Sequence, residues 1–360
     1  MHAFYLEKQP WIQQDVMSAI IMAAGIILLL IVIFDIAVTV FVSKGAGFYT
    51  RFITLSVAWI FKLLVQNRGY SKLLEYKVVF IIGGMVSSWI TLSWIGTALI
   101  YASDYDSVIN GQSGVAAYFI EKVYFTGYTL STLGQGDFIP SGYFWEIYTS
   151  IASFVGFIII TICITYIVPV ISNIAQKNKL ALKIASLGES TEKILINGYN
   201  GNDFSSFTAE CDDLADDIFL YAENHTSYPI LHHVHNHEKN QNIILKLMSI
   251  DEACNILLRH VPEQKIKEKL AVQQVRHAIT VYLRSVRNIS PADIGPDLPD
   301  FKGFSHALGF QLINTRPDDL QRIYSKLEYR RCLFLAIIKD DGFDWDDLEG
   351  DLFDSKYDYH

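Results

Sequence analysis

Six residues in the middle of the chain have the types and the spacing of a site for a dehydrated cation. Residues 132–137 read Thr-Leu-Gly-Gln-Gly-Asp, so that glycine occupies two alternate positions, Gly134 and Gly136. Glycine reaches backbone conformations that are closed to other residues, and alternating glycines therefore allow successive carbonyl oxygens to point to one side. A cation that has lost its water needs such oxygens in place of its hydration shell. The chemistry that this segment predicts is cation coordination by the backbone.

The residues around this segment predict how it is held. Val115–Pro140 is a moderately apolar stretch that fits neither a loop nor a membrane span, and its first part has the length of a short helix. A helix that ends just before Thr132 would direct the partial negative charge of its carbonyl end at a cation. Irregular backbone is tolerated at membrane depth only where it lines protein or water. We therefore expect a short re-entrant helix followed by a loop.

The composition predicts a membrane protein with three spans. The chain has 360 residues, of which 51% are apolar and only 19% charged, which is too apolar for an ordinary soluble protein of this size. A spanning helix needs about 20 apolar residues, and Met17–Val42, Val78–Ile100 and Trp145–Ser172 supply them. Phe52–Val65 is shorter and carries Lys62. We expect it to be an amphipathic helix at the interface, with a fourth span as the alternative.

The loop charges predict the orientation. Residues 44–77 hold six basic residues against the single acid Glu75, which places this stretch in the cytoplasm. The amino terminus then lies outside and the carboxyl terminus inside. If Phe52–Val65 spanned, only the amino terminus would change sides. The compact layout suits a multi-pass protein of the bacterial inner (plasma) membrane.

One ionisable residue lies inside the first span. Asp35 is its single charge, about three-quarters of the way towards the cytoplasmic end. A carboxylate at that depth is costly unless it is paired or wet. We expect a structural pair or snorkelling, with proton sensing as the alternative.

The motif at residues 132–137 resembles the signature filter of the tetrameric potassium-channel superfamily, Thr-Val-Gly-Tyr-Gly-Asp. In this chain Leu133 replaces the valine and Gln135 replaces the tyrosine. The flanking offsets agree with the family: aromatic residues precede the motif by seven and eight positions, and Pro140 lies three positions after its aspartate. The resemblance covers about a quarter of the chain, from the second span to the third. The alternative is a glycine turn between two helices of a membrane protein that is not a channel.

The resemblance implies an all-α membrane protein built on a pore-loop module of the two-helix prokaryotic type. Each chain would contribute an outer helix, a re-entrant pore helix with the filter, and an inner helix, and four copies would enclose one pore. An extra amino-terminal transmembrane helix and a mainly helical cytoplasmic domain complete the expected chain. The implied ion-binding residues are Thr132, Leu133, Gly134, Gln135 and Gly136, and the implied filter supports are Tyr124, Phe125 and Asp137.

The glutamine of the motif bears on selectivity. In the family the tyrosine at this position wedges its ring against pore-helix aromatics and hydrogen-bonds to them, whereas Gln135 offers an amide. Backbone coordination does not depend on that side chain. We expect a cation channel that conducts K⁺. The alternatives are a weakly selective or non-selective cation channel, and a membrane sensor of channel-like fold with little conduction.

Two residues of the third span are candidates for a gate hinge. Gly156 falls at the usual hinge of the family's inner helix, and its alternative role is close helix packing. Pro169 removes a backbone hydrogen bond, so that it kinks the helix or ends it. We expect the helix to end there.

The remaining sequence predicts regulation rather than catalysis or nucleic-acid binding. Helical apolar spacing dominates residues 173–338, and no GxGxxG, GxSxG, Walker A or HExxH motif is present. The net charge of −9 gives no basic patch for a nucleic acid. We expect no enzyme activity and no organic cofactor, and a regulatory domain that takes an unidentified gating ligand. The predicted parts are residues 1–16 (outside), 17–43 (first span), 44–77 (linker), 78–172 (pore module), 173–338 (cytoplasmic domain) and 339–360 (acidic tail).

A histidine cluster in that domain is the candidate metal site. Five of the ten histidines lie within residues 225–237. His233, His235 and His237 share a face of an extended chain, and imidazoles in such an arrangement suit a transition metal or a charge change near neutral pH. The alternative is a solvated, weakly structured loop.

Overall fold

The computed structural model describes residues 9–42, 46–65, 72–236, 238–287 and 330–339. They divide into two compact units. The first unit draws on Met1–Val57 and Val79–Pro169, and the second unit on Ala58–Val78 and Val170–His360. The helices are α1 (Gln9–Phe41), α2 (Phe48–Val65), α3 (Lys77–Ala102), α4 (Phe119–Leu130), α5 (Tyr143–Leu187), α6 (Thr191–Gly198), α7 (Ser205–Ser227), α8 (Ile243–His260), α9 (Lys269–Arg287) and α10 (330–339).

The three predicted spans are confirmed as helices that are long and apolar enough to cross a membrane. The spanning candidates are Asp15–Phe41, Leu73–Ala102 and Tyr143–Leu187. Among the described residues, α2 does not meet the same criteria. Its large apolar side chains are nevertheless exposed, with Phe48 at 89% and Trp59 at 63%. An interfacial position of α2 stays a prediction.

Pro169 lies inside α5, and the prediction that the third span ends there is wrong. The helix continues to Leu187, so the predicted boundary between residues 172 and 173 falls within one continuous helix. A proline removes a single backbone hydrogen bond and crowds the preceding turn. The regular hydrogen bonds on both sides outweigh that loss, because each further helical residue adds one bond at little additional entropy.

Small residues bring α1 and α3 together in the first unit. A Cβ atom on Gly25 of α1 would lie 2.6 Å from the carbonyl oxygen of Gly96 on α3, and a Cβ atom on Gly96 would lie 3.0 Å from Leu29. Such distances leave no room for a side chain. The two backbones therefore touch, as small residues allow in membrane helix pairs.

Asp35 has hydrogen-bond donors as partners rather than a basic residue. It is 3% exposed. One carboxylate oxygen accepts from the N–H groups of Tyr49 (2.8 Å) and Thr50 (3.2 Å) in the first turn of α2. The other accepts from the Thr50 hydroxyl (2.6 Å) and from the Trp89 indole N–H on α3 (2.9 Å). The carboxylate therefore caps α2 and joins α1, α2 and α3, which agrees with a structural pair.

A short β-ribbon departs from the all-α prediction. Strand β1 (Val108–Asn110) pairs antiparallel with β2 (Phe138–Pro140), and Asn110 lies opposite Phe138. Each strand has three residues, too few for an alternating pattern to be visible in the sequence. The ribbon holds the chain directly after residues 132–137.

The described part of the second unit is helical and packs around α8. Every residue from Asn242 to Leu257 is buried. The Asn242 side chain caps the helix by accepting from the N–H groups of Ile244 (3.0 Å) and Leu245 (3.1 Å). Helix α10 adds Phe334 and other apolar side chains to the same core. The predicted acidic tail lies outside the described residues from position 340 onward.

Candidate functional site

The backbone of residues 132–136 alternates between two conformations directly after α4. Thr132, Gly134 and Gly136 have φ of +61°, +56° and +82°. Leu133 and Gln135, which lie between them, are outside this left-handed region. For a β-branched threonine a positive φ is strained by about 1–3 kcal/mol. The segment thus has the alternation that its two glycines predicted.

The N–H groups at the start of the segment turn back to α4. Ser131 donates to the carbonyl of Gly127 (3.1 Å), and Leu133 and Gly134 donate to the carbonyl of Tyr128 (2.9 and 3.5 Å). Within the described chain, no hydrogen bond to the backbone carbonyls of residues 132–136 is found. Residues 131–137 are all exposed. The carbonyl oxygens are therefore available to a ligand.

Two tyrosines of α4 hold the segment at its centre and at its end. The Tyr124 hydroxyl donates to the side-chain carbonyl of Gln135. The Tyr128 hydroxyl donates to the backbone carbonyl of Phe138 on β2 at 2.6 Å. The two rings lie one helical turn apart on the same face, with centroids separated by 5.2 Å. Sequence reasoning named Tyr124 but missed Tyr128, which its spacing of four residues could have indicated.

The other two predicted supports, Phe125 and Asp137, make different contacts. Phe125 is 2% exposed and packs edge-on against Tyr101 (5.0 Å between centroids) and Tyr128 (5.2 Å). Its link to the segment runs through Tyr128. Asp137 is exposed, and its backbone carbonyl accepts from the N–H of Gly111 at 2.9 Å.

A buried lysine that sequence reasoning missed fixes α4 in place. Lys122 is 3% exposed, and its ammonium donates to the carbonyl of Tyr101 (3.2 Å) in the last turn of α3 and to those of Asp104 (2.5 Å) and Tyr105 (3.0 Å) after that helix. The Asp104 carboxylate accepts in turn from the Trp145 indole of α5 (2.9 Å). A buried charge is tolerated only with such partners. The signal was a lysine within an apolar stretch.

Gly156 of α5 lies against the last residue of α4. A Cβ atom at this position would stand 2.1 Å from the carbonyl oxygen of Leu130. This distance supports the alternative role of Gly156, close packing between helices. A hinge at Gly156 or Pro169 stays a prediction.

The described part of the histidine cluster is packed. His225 is 1% exposed and His235 is 7% exposed, so the solvated-loop alternative is wrong for these two histidines. The ring of His232 lies between those of His225 (5.9 Å) and His233 (5.5 Å). The Lys77 ammonium stands 3.3 Å from a ring nitrogen of His235.

The electrostatic surroundings keep the imidazoles of His225 and His233 neutral. Burial lowers the pKa of His225 to about 3, and burial together with the nearby Lys77 ammonium lowers the pKa of His233 to about 2. His237 lies outside the described residues. Among the residues that the structure describes, no three histidine, cysteine or acidic side chains come together as a metal site. A transition metal at His233, His235 and His237 stays a prediction.

The comparisons with known proteins bear on the whole chain. No protein-family model matches it, and no solved structure matches it. The chain is 30% identical over 326 residues to the "uncharacterized membrane protein YdjJ" of Bacillus subtilis (strain 168). The match covers 89% of this chain and 94% of the relative, so it includes both units. A membrane relative agrees with the three spanning helices, and the chain belongs to the family of this Bacillus membrane protein.

Proposed function

We propose that the chain is one subunit of a homotetrameric cation channel in the plasma membrane, with K⁺ as the conducted ion. One observation carries the proposal. The backbone at Thr132, Gly134 and Gly136 is left-handed at alternate positions, directly after the carbonyl end of α4. Such a backbone can present successive carbonyl oxygens to one side, and the helix end adds partial negative charge there.

The exposure of residues 131–137 in a single chain supports assembly of several copies. Seven consecutive exposed residues, 131–137, follow a helix that is anchored at its start by the buried Lys122. A dehydrated K⁺ needs oxygens on several sides, and one chain offers a single row. Four copies around an axis would complete the coordination, as the resemblance to the potassium-channel superfamily implies.

The Tyr124–Gln135 hydrogen bond favours a filter of fixed width. In the family that the motif resembles, a tyrosine of the filter bonds to the pore helix. Here the hydroxyl belongs to Tyr124 of α4, and the acceptor is the amide oxygen of Gln135. A hydrogen bond between the helix and the segment is kept, but the hydroxyl donor lies on the helix and the acceptor lies in the segment. This supports selective conduction of K⁺ over a non-selective pore.

Gating would act through α5. This helix is continuous from Tyr143 to Leu187 and therefore extends from the first unit into the second. The loop charges predict that the second unit is cytoplasmic. A rearrangement of that unit would act on α5, the helix that follows residues 132–137. We expect the gating ligand to bind to the second unit.

Bilayer recording tests the proposal. The purified full-length protein is reconstituted in a planar bilayer with K⁺ on one side and Na⁺ on the other. We expect a reversal potential close to the potassium equilibrium value. Tyr124→Phe removes the hydrogen bond to Gln135 and should move the potential towards zero. Tyr143→Phe is the matched control, because Tyr143 is 85% exposed at the start of α5, and it should leave the potential unchanged.

The same recording separates the alternatives. A wild-type potential near zero would indicate a non-selective cation channel. The absence of current at every pH and calcium or zinc concentration would contradict conduction and favour a membrane sensor.

A further inference from the structure

A cavity of about 280 Å³ lies in the first unit between α3, the end of α4 and α5. Ile90 and Trp94 line it from α3, Leu130 from α4, and Gly156 and Ile160 from α5. Its walls are almost entirely apolar side chains. The residues that line the cavity do not include residues 132–136, which carry the proposed ion path.

The cavity is bordered by partly exposed apolar residues of α3 and α5. Ile90, Trp94 and Ile160 are 43%, 39% and 41% exposed, whereas Ile159 at the inner wall is 5% exposed. Both helices are spanning candidates. A molecule that enters at this depth comes from the hydrocarbon region and must be uncharged, because an ion there is costly.

One polar group in the wall has no partner. Ser93 of α3 lines the cavity and is 2% exposed, and its hydroxyl has no hydrogen-bond partner within the described chain. A buried hydroxyl without a partner is unfavourable and rare in folded proteins. A hydrocarbon chain in the cavity would leave it unsatisfied, whereas a hydroxyl of the occupant would satisfy it.

We propose that this cavity is a binding site for a small uncharged amphiphile, a molecule with an apolar body and one hydroxyl group that bonds to Ser93. The volume fits such a molecule. An apolar cavity of about 150 Å³ in another protein holds benzene, so about 280 Å³ accommodates an alcohol of six to eight carbons. The occupant would lie against the contact between Leu130 and Gly156. Leu130 is two residues before Thr132. The site does not depend on conduction.

Tryptophan quenching by 6-bromo-1-hexanol tests the site, because bromine quenches an indole that it touches. The full-length protein in detergent is titrated with the brominated alcohol. We expect saturable quenching that Trp94→Phe removes, since Trp94 lines the cavity. Ser93→Ala should weaken binding about fivefold, the factor that corresponds to one hydrogen bond. Ser87→Ala, at an exposed position of α3, is the matched control and should bind as the wild type does.

Two further measurements keep the proposal falsifiable. Ile160→Phe narrows the cavity without changing Ser93 or Trp94, and it should lower the affinity. Unlabelled 1-hexanol should displace the probe more effectively than hexane. Equal displacement by hexane, together with unchanged binding in Ser93→Ala, would overturn the proposal in favour of a lipid hydrocarbon chain. Quenching that does not saturate, or that persists in Trp94→Phe, would show that no small molecule occupies the cavity.

Discussion

Helix α8 and the segment at residues 131–137 differ in the burial and the hydrogen bonding of their polar groups. The buried stretch from the N-cap Asn242 to Leu257 of α8 includes six polar or charged side chains. Those side chains have partners inside the chain: the Lys246 ammonium, for example, donates to the carbonyl of Glu189 at 2.9 Å. Residues 131–137 are exposed, and in the described chain the carbonyls of 132–136 accept no hydrogen bond.

The polar side chains of α8 find their hydrogen-bond partners within one chain, whereas the carbonyls of residues 132–136 do not. Buried polar groups without partners are unfavourable, so α8 could be buried only with its partners in place. The carbonyls at residues 132–136 are held in a strained backbone by Tyr124 and Tyr128 and are left open. Strain that the surroundings maintain is a feature of functional sites. Under our proposal, three further copies and a cation complete this part.

The largest expected effect tests the internal pairing of the second unit. Arg331 of α10 donates two hydrogen bonds of 2.7 Å to Glu252 of α8, and both side chains are at least nine-tenths buried. Glu252→Ala should lower the free energy of unfolding by about 3–5 kcal/mol, because a guanidinium is left buried without its partner. Denaturant titration followed by circular dichroism measures this.

Two comparisons control that prediction. Replacing both members, Glu252→Met with Arg331→Met, should cost much less than Glu252→Ala, because no buried charge remains. Lys193→Ala removes a pair in which both side chains are 53% exposed and should change stability by less than about 1 kcal/mol. Equal losses in all three variants would contradict the account of the pair.

Gly156→Ala probes the close contact in the first unit. The new Cβ atom would stand 2.1 Å from the Leu130 carbonyl oxygen, so α4 and α5 must separate. We expect a loss of about 1–3 kcal/mol, measured as a lower temperature of thermal unfolding in detergent. Gly83→Ala in α3 is the control, because no atom lies within 4 Å of its Cβ position. It should be neutral or stabilising by up to about 1 kcal/mol. An unchanged unfolding temperature in Gly156→Ala would refute the contact.

Acid should weaken the second unit through His225. The folded pKa of about 3 lies below the ordinary value of 6.5, so the folded state holds the neutral imidazole. The associated stability is complete above about pH 6.5 and is lost as the pH falls from there towards the folded pKa. At about pH 5 the loss is about 2 kcal/mol.

The matched variants identify that histidine. His225→Gln should reduce the acid destabilisation by about that amount in denaturant titrations at neutral pH and at about pH 5. His277→Gln, at an exposed position of α9, should retain the pH dependence of the wild type. If both variants respond to acid as the wild type does, His225 is not the group responsible.

The smallest expected effect concerns the support of β2. Tyr128→Phe removes the hydroxyl that donates to the Phe138 carbonyl at 2.6 Å, and it should lower stability by about 1 kcal/mol. Amide hydrogen exchange in β2 should accelerate. Tyr105→Phe, at a position that is 69% exposed, is the control. Unaltered exchange in β2 would mean that the hydroxyl does not hold the strand.

The sequence allowed prediction of the features that depend on local composition. Hydropathy located the three spans to within a few residues at most ends, because the length of a span follows from the thickness of the bilayer. The alternating glycines predicted the left-handed positions 134 and 136, since glycine alone adopts them without strain. Pro169 misled the prediction, because a proline favours a helix end without requiring one.

Features that depend on distant partners could not be read from the sequence. The Asp35 carboxylate accepts hydrogen bonds from backbone N–H groups fourteen and fifteen residues away, and such groups have no sequence signature. Gly156 faces a carbonyl of α4, which no periodicity reveals. The Arg331–Glu252 pair spans 79 positions and forms only after α8 and α10 have packed. The supports of the candidate site were therefore predicted less completely than its backbone conformation.

Potassium efflux from liposomes tests the central claim, a cation path at residues 132–136. Gly134 and Gly114 have φ of +56° and +67°, and no atom lies within 4 Å of either Cβ position. Gly134→Ala and Gly114→Ala therefore impose similar backbone strain. Only Gly134 lies on the proposed path, so Gly114→Ala is the matched control. We predict efflux with the wild type and with Gly114→Ala, and its loss with Gly134→Ala. No efflux with the wild type, or undiminished efflux with Gly134→Ala, would contradict the account.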